Sequence, residues 1–160
     1  LFPLEIDVVV ADPGWAGLLA IPRLEELARE AIFCALEQSG ARATGPSELA
    51  LVLTDDIRQK QLNKKWRGKD QSTNVLSFPQ IEPFSPLSGL LGDIVLARQT
   101  VAGEAQAGPI PFEHHYLHLV IHGFLHILGY DHLTDNEACL MESLETEILS
   151  SLGVPDPYQV

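Results

Sequence analysis

His122-Gly123-Phe124-Leu125-His126-Ile127-Leu128-Gly129-Tyr130-Asp131-His132 carries histidines in the pattern HxxxHxxGxxH. On a helix, residues four apart lie about 40° apart around the axis and roughly 6 Å along it, so His122 and His126 can aim two imidazoles at one ion. Gly129 tolerates the left-handed backbone that ends helices, which lets the chain reverse and bring His132 to the same point. Three neutral imidazoles with an open fourth position suit one Zn²⁺ ion, and an ion so held lowers the pKa of bound water to about 7. A structural zinc site would instead be closed by four ligands rich in cysteine, and neither Cys34 nor Cys139 falls in this stretch. The reading is a zincin-like metal helix of catalytic type.

Taken singly, each of these histidines reads as an ordinary core or surface residue. Together, the helical spacing, the glycine break and the third histidine agree with one another. All six histidines of the chain fall in the 19 residues from His114 to His132. His118 continues the helical stripe one turn earlier, as a residue supporting a ligand, a substrate contact or a plain surface histidine. Asp131 is positioned either to orient an imidazole or simply to form the turn. His114 and His115 read as exposed residues of the first helical turn.

Outward from this helix, 160 residues and 17.5 kDa leave room for one domain with a real core, spanning 1–160. Hydrophobic residues at 46% and charged residues at 20% exclude a disordered tail. No apolar run approaches the roughly 18 residues of a membrane span, and the first residues lack the basic start of a secretory signal. Two cysteines inside helical patterns point to buried thiols rather than a disulfide framework, and hence to a reducing cytoplasm.

Leu4 to Val10 and Glu48 to Leu53 read as strands, with a helix between them whose Leu24, Leu27, Ala28, Ala31, Ile32 and Ala35 recur at three and four residue steps before Gly40. Thr54 can cap a short helix beginning at Asp55, with Leu62 and Trp66 anchoring one face of it against the core. Asn74 to Phe78 and Asp93 to Leu96 read as two more strands, joined by a Pro/Gly/Ser-rich connection from Pro79 to Gly92. Helices follow over Arg98–Ala107 and from about Phe112 to Leu128. Thr134-x-x-Glu137 is a capping box that opens the last helix, with Ala138, Met141, Leu144, Ile148 and Leu152 as its apolar stripe. The order predicts an α/β (α+β) domain around a small mixed sheet.

A net charge of -12 would repel nucleic acid if it were spread evenly. Six of the ten basic residues, however, lie between Arg58 and Lys69, where no acidic residue occurs. Any polyanion would be received there, with Lys60, Lys64, Lys65 and Lys69 as candidate backbone contacts; the alternative is a solvated helix face.

Metzincin proteases share the histidine spacing but place a general-base glutamate after the first histidine, where this chain has Gly123. A phosphodiester fits better, because a guanidinium can stabilise the negative charge that grows in its transition state. Arg67 is the candidate; the bland alternative for Trp66-Arg67-Gly68 is a helix end with a solvated arginine.

His122 to His132, Gly92-Asp93-Ile94, Asn74-Val75-Leu76-Ser77-Phe78-Pro79 and Trp66-Arg67-Gly68-Lys69-Asp70 resemble, in order and spacing, the motifs of the YbeY family of bacterial endoribonucleases. The resemblance runs from about Leu51 to Tyr158. It implies a mixed four-stranded sheet with helices, zinc ligands at His122, His126 and His132, and a catalytic arginine at Arg67. It further implies a metal-dependent endoribonuclease, specific for single-stranded RNA, acting in ribosomal RNA maturation and in quality control of the small ribosomal subunit. RNA and the small subunit with its proteins are the implied partners; neither DNA nor membrane is expected. Phe124 and Ser72 depart from the family pattern, which often has a small residue and a proline there. Two competing readings are an RNA-binding ribosome assembly factor that keeps the metal for stability, and a metzincin-like metalloprotease.

Overall fold

Parallel strands cannot be joined by a tight hairpin, so the chain between them crosses over through a longer unit, usually a helix. The N-terminal part of the computed structural model, which describes residues 2–159, is built this way. Strand β1 (Leu4–Val10) leads through one 3-10 turn at Pro13–Gly17 into helix α1 (Ile21–Ser39), and β2 (Ala43–Thr54) returns parallel to β1. Helix α2 (Asp56–Arg67) then precedes β3 (Val75–Pro79) and β4 (Leu87–Ala97). Strand β4 runs parallel to β2 and antiparallel to β3, so the sheet has four strands in the order β1-β2-β4-β3 with β3 at an edge. Helices α3 (Arg98–Ala107), α4 (Phe112–Leu128) and α5 (Asp135–Ser151) complete the chain. The expected mixed α/β architecture is what forms.

One sheet face carries the main core. Leu49, Leu51 and Leu53 of β2 and Ile94 and Leu96 of β4 are buried in one cluster with apolar residues of α1 and α4. Helix α4 is apolar almost all round, with Leu119, Val120, Ile121, Phe124, Leu125, Ile127 and Leu128 buried, as a helix packed on several sides must be. It approaches the sheet closely at Gly123, where an added Cβ would lie 2.6 Å from Ile94 Cγ2. Phe124, one of the departures from the family pattern, is fully buried in this core.

Several local expectations need correction. Asp55, not Thr54, caps α2, its Oδ1 accepting from the Arg58 amide at 2.8 Å. Strand β2 begins at Ala43 rather than Glu48, and β4 extends back to Leu87 through what reads as a loop, because backbone pairing tolerates the glycines and serine there. Helix α2 is not anchored by Leu62 and Trp66. Buried Gln59 and Asn63 hold it instead, donating to the carbonyls of Val95 and Gln71 at 2.9 Å each. Trp66 lies two turns beyond Gln59, about 10 Å further along the axis, where α2 overhangs the sheet edge and the indole is 61% exposed. Cys139 is exposed rather than buried, since it falls beside the apolar stripe of α5, while Cys34 is half-buried; both are free thiols. His114 and His115 are half-buried, not exposed, and His115 Nε2 lies 2.9 Å from Glu104 Oε1. Among the described residues, no helix is long and apolar enough to cross a membrane.

Candidate active site

The last two turns of α4 carry His122 and His126, and Gly129 ends the helix with φ at 120°. A side chain is excluded there, because a Cβ would lie 2.8 Å from Pro83 Cα. The chain therefore turns back at Tyr130, whose amide donates to the Leu125 carbonyl at 3.0 Å, and delivers His132 beside the other two. The His126 and His132 ring centroids are 5.0 Å apart, and those of His122 and His132 are 5.7 Å apart. One donor atom from each of the three histidines lies within 4.8 Å of the others, so the group can hold a metal ion.

Hydrogen bonding fixes which nitrogens face that point. Nδ1 of His126 lies 2.9 Å from the Tyr130 carbonyl, which only accepts, so this nitrogen carries the proton. Nδ1 of His122 lies 3.2 Å from Oε2 of Glu145. In the neutral tautomers that result, both Nε2 atoms present lone pairs, and they sit only 3.1 Å apart. Two acceptors so close repel unless a cation or a proton stands between them, so the donor set fits a metal ion. Burial, with the nearby His122 and His132 rings, pushes His126 down to about 4, which keeps its imidazole neutral and available as a ligand near pH 7.

Glu145 is the residue the sequence reading missed. It is fully buried on α5, and its Oε1 lies 2.6 Å from His118 Nε2 and accepts from the Tyr158 hydroxyl at 2.7 Å. Burial alone would raise its carboxyl; hydrogen bonds from His118 and His122 outweigh that and hold it at about 2. Burial, and then Glu145 itself, push the Tyr158 phenol well above its ordinary value, so it stays a donor. A signal was present: Glu145 falls between Met141 and Ile148 at helical spacing, a carboxylate within an apolar stripe. His118 belongs to this network and is not one of the three converging donors. Asp131 accepts from the His132 backbone amide at 2.8 Å, the turn-forming geometry, rather than from an imidazole.

Arg67 ends α2, where Gly68 adopts φ of 71° and the Gly68 and Lys69 amides return to the Lys64 and Asn63 carbonyls. Its Nη2 donates to the Ser77 carbonyl on edge strand β3 at 2.7 Å. The Ser77 hydroxyl in turn donates to the carbonyl of Gly123, next to His122, at 2.9 Å. Arg67 and α4 thus grip the same edge residue. The lysines divide. Lys60 and Lys64 flank Asp70 at 4.0 and 3.9 Å, whereas Lys65 Nζ lies 5.1 Å from the Trp66 ring centroid and Lys69 is exposed on the turn. Ser72, the second departure, places its hydroxyl 3.5 Å from that of Thr100.

Gly123 also bears on the protease alternative. The position that holds a glutamate in metzincins faces the sheet here, with no room even for a Cβ.

Comparison with known proteins places the chain in a family. A family model described as "Endoribonuclease YbeY" matches residues 18–153. A Bradyrhizobium sp. protein named endoribonuclease YbeY is 46% identical over 157 residues, covering 95% of this chain and 90% of that one. One of the same name from Azorhizobium caulinodans is 46% identical over 156 residues, covering 97% and 96%. Among solved structures, the solution structure of TM1509 from Thermotoga maritima superposes with a TM-score of 0.57 at 23% identity, covering 98% of this chain and all of that one, a likeness of fold. The chain belongs to the endoribonuclease YbeY family.

Proposed function

We propose that this protein is a zinc-dependent endoribonuclease that cuts single-stranded RNA during ribosomal RNA maturation and quality control of the small ribosomal subunit, in the cytoplasm. The observation that carries the reading is the pair of Nε2 atoms turned toward each other at 3.1 Å, with His132 beside them. His122, His126 and His132 would hold the ion. Bound there, the ion supplies Lewis acidity and an activated water.

The chain's own residues do the rest. Arg67, steadied by the Ser77 carbonyl, presents its remaining N–H donors to a non-bridging phosphoryl oxygen and stabilises the charge that grows on it. Lys65 and Lys69 draw in the phosphodiester backbone, and Lys60 and Lys64, partly neutralised by Asp70, add a weaker field. Glu145 fixes the tautomer of His122, and the Tyr130 carbonyl fixes that of His126.

The test is a nuclease assay on a defined ribosomal RNA fragment containing single-stranded and paired segments, with wild type, His126→Ala and Arg67→Ala, metal-stripped and zinc-restored. The expected result is cleavage in the single-stranded segments only, by zinc-restored wild type only. Cleavage by stripped protein would remove the metal from the reading. RNA binding without cleavage, with loss of fold on stripping, would point to an assembly factor instead.

A further inference from the structure

Trp66 and Phe78 meet where the last turn of α2 overhangs edge strand β3, their ring centroids 6.4 Å apart and their planes inclined at 64°. Phe78 braces the indole, yet Trp66 remains 61% exposed. Around it stand cations: Lys65 Nζ is 5.1 Å from the indole centroid, and the Arg67 guanidinium carbon is 5.9 Å from the centroid of Phe78. Arg67 is itself anchored on Ser77, so the aromatic pair and the arginine occupy fixed relative positions.

We infer that Trp66, braced by Phe78, is a stacking platform for one unpaired base of the RNA strand whose phosphate Arg67 holds. An exposed aromatic face rimmed by cations suits a ligand that alternates π faces with negative charges, and a single nucleic-acid strand is such a ligand. Every base has a π face, so the platform tolerates any sequence. A duplex buries its bases in its own stack and has none to offer, so the platform favours single strands. Lys65 lies over the ring only as a surface contact; when a base takes that place, the ammonium swings to the neighbouring phosphate. The inference rests on the ribonuclease reading and adds a binding subsite to it.

The chain has two tryptophans, and Trp15 is fully buried, so quenching of indole fluorescence by a ligand reports Trp66. The probe is a dye-labelled 2′-O-methyl oligoadenylate of ten nucleotides, followed at once by dye anisotropy and by tryptophan emission. An abasic strand of equal charge serves as the control. Wild type should bind the oligoadenylate with quenching, and the abasic strand more weakly and without it. Trp66→Ala should weaken oligoadenylate binding about 5- to 100-fold, with little effect on the abasic strand, and Trp66→Phe should recover most of the loss. In cleavage assays, KM should rise with kcat within about twofold, since a base held equally in ground and transition states changes binding alone. Anisotropy without quenching, or Trp66→Ala binding oligoadenylate as wild type does, would overturn the platform. If wild type neither binds nor cuts any single-stranded RNA, the ribonuclease reading itself falls.

Discussion

Oε2 of Glu145 lies 3.2 Å from Nδ1 of His122, so a buried carboxylate on α5 decides which ring nitrogen of a residue on α4 faces its histidine neighbours. The same carboxylate holds His118 and Tyr158 through its other oxygen, which ties the C-terminal segment to the candidate metal centre.

Replacing Glu145 with glutamine keeps the shape but removes the charge that holds the Nδ1 proton on His122. Losses of about 10- to 100-fold in metal affinity are typical when such a supporting partner is removed. Glu145→Gln should therefore release zinc to a chromophoric chelator at a correspondingly lower chelator concentration than wild type does, while its far-UV circular dichroism is unchanged. Equal affinities for the two proteins would show that the tautomer is set without Glu145.

Gly123 permits the close approach of α4 to β4, since a Cβ there would meet Ile94 Cγ2 at 2.6 Å and Ser77 Oγ and Val75 Cγ2 at 3.3 Å each. The Ile94 branch is packed in the core and cannot swing away freely. Gly123→Ala should destabilise the fold by about 1–3 kcal/mol, the usual range for overpacking, in spite of alanine's better helix propensity. Urea unfolding midpoints measure this, and a midpoint at or above that of wild type would mean the helix can shift outward at no cost.

Much of this site is legible in sequence because its chemistry is local. His122 and His126 sit one helical turn apart and Gly129 marks the bend, so the spacing alone brings their donors together. The bounds of α3 and α4 follow equally from local periodicity and punctuation. Glu145 and Tyr158 are different, for they reach His118 and His122 across 23 to 40 positions of chain through tertiary packing. Trp66 misleads for a related reason. Its helical spacing from Leu62 matches an apolar face, but only the sheet's extent decides that α2 runs past the core before the indole can be covered.

Arg67 gives one N–H to the Ser77 carbonyl and keeps the other donors of its planar fork. A lysine has the charge but not the fork, so it cannot grip Ser77 and a phosphoryl oxygen in fixed geometry. Arg67→Ala should lower kcat on single-stranded RNA by about 10²- to 10³-fold, and Arg67→Lys should recover only a small part, while Kd for the strand changes a few-fold. Single-turnover kinetics separate the two quantities. Full activity in Arg67→Lys would reduce the role of this residue to charge alone.

Asp12, two residues past the end of β1, caps the 3-10 turn at Pro13–Gly17 and pairs with Arg98, the first residue of α3, which ties the chain leaving β1 to the helix leaving β4. Hydrogen bonds from Arg98 and from the Gly14 amide hold the Asp12 carboxyl below its usual 3.8. A carboxyl whose pKa is lower in the folded state stabilises the fold fully above its unfolded pKa, and that contribution disappears as pH falls through the folded value. Asparagine can still accept from Gly14 but cannot pair with the guanidinium, so Asp12→Asn isolates the charged interaction. At pH 7 the variant should be less stable by roughly 1–2 kcal/mol, which lowers Tm by about 3–7 °C for a chain of this size. The gap should hold down to about pH 4.5, shrink below pH 3.8 and vanish once wild-type Asp12 is protonated in both states. Thermal melts of the two proteins across that range test it, and a gap independent of pH would assign the loss to packing rather than to the ion pair.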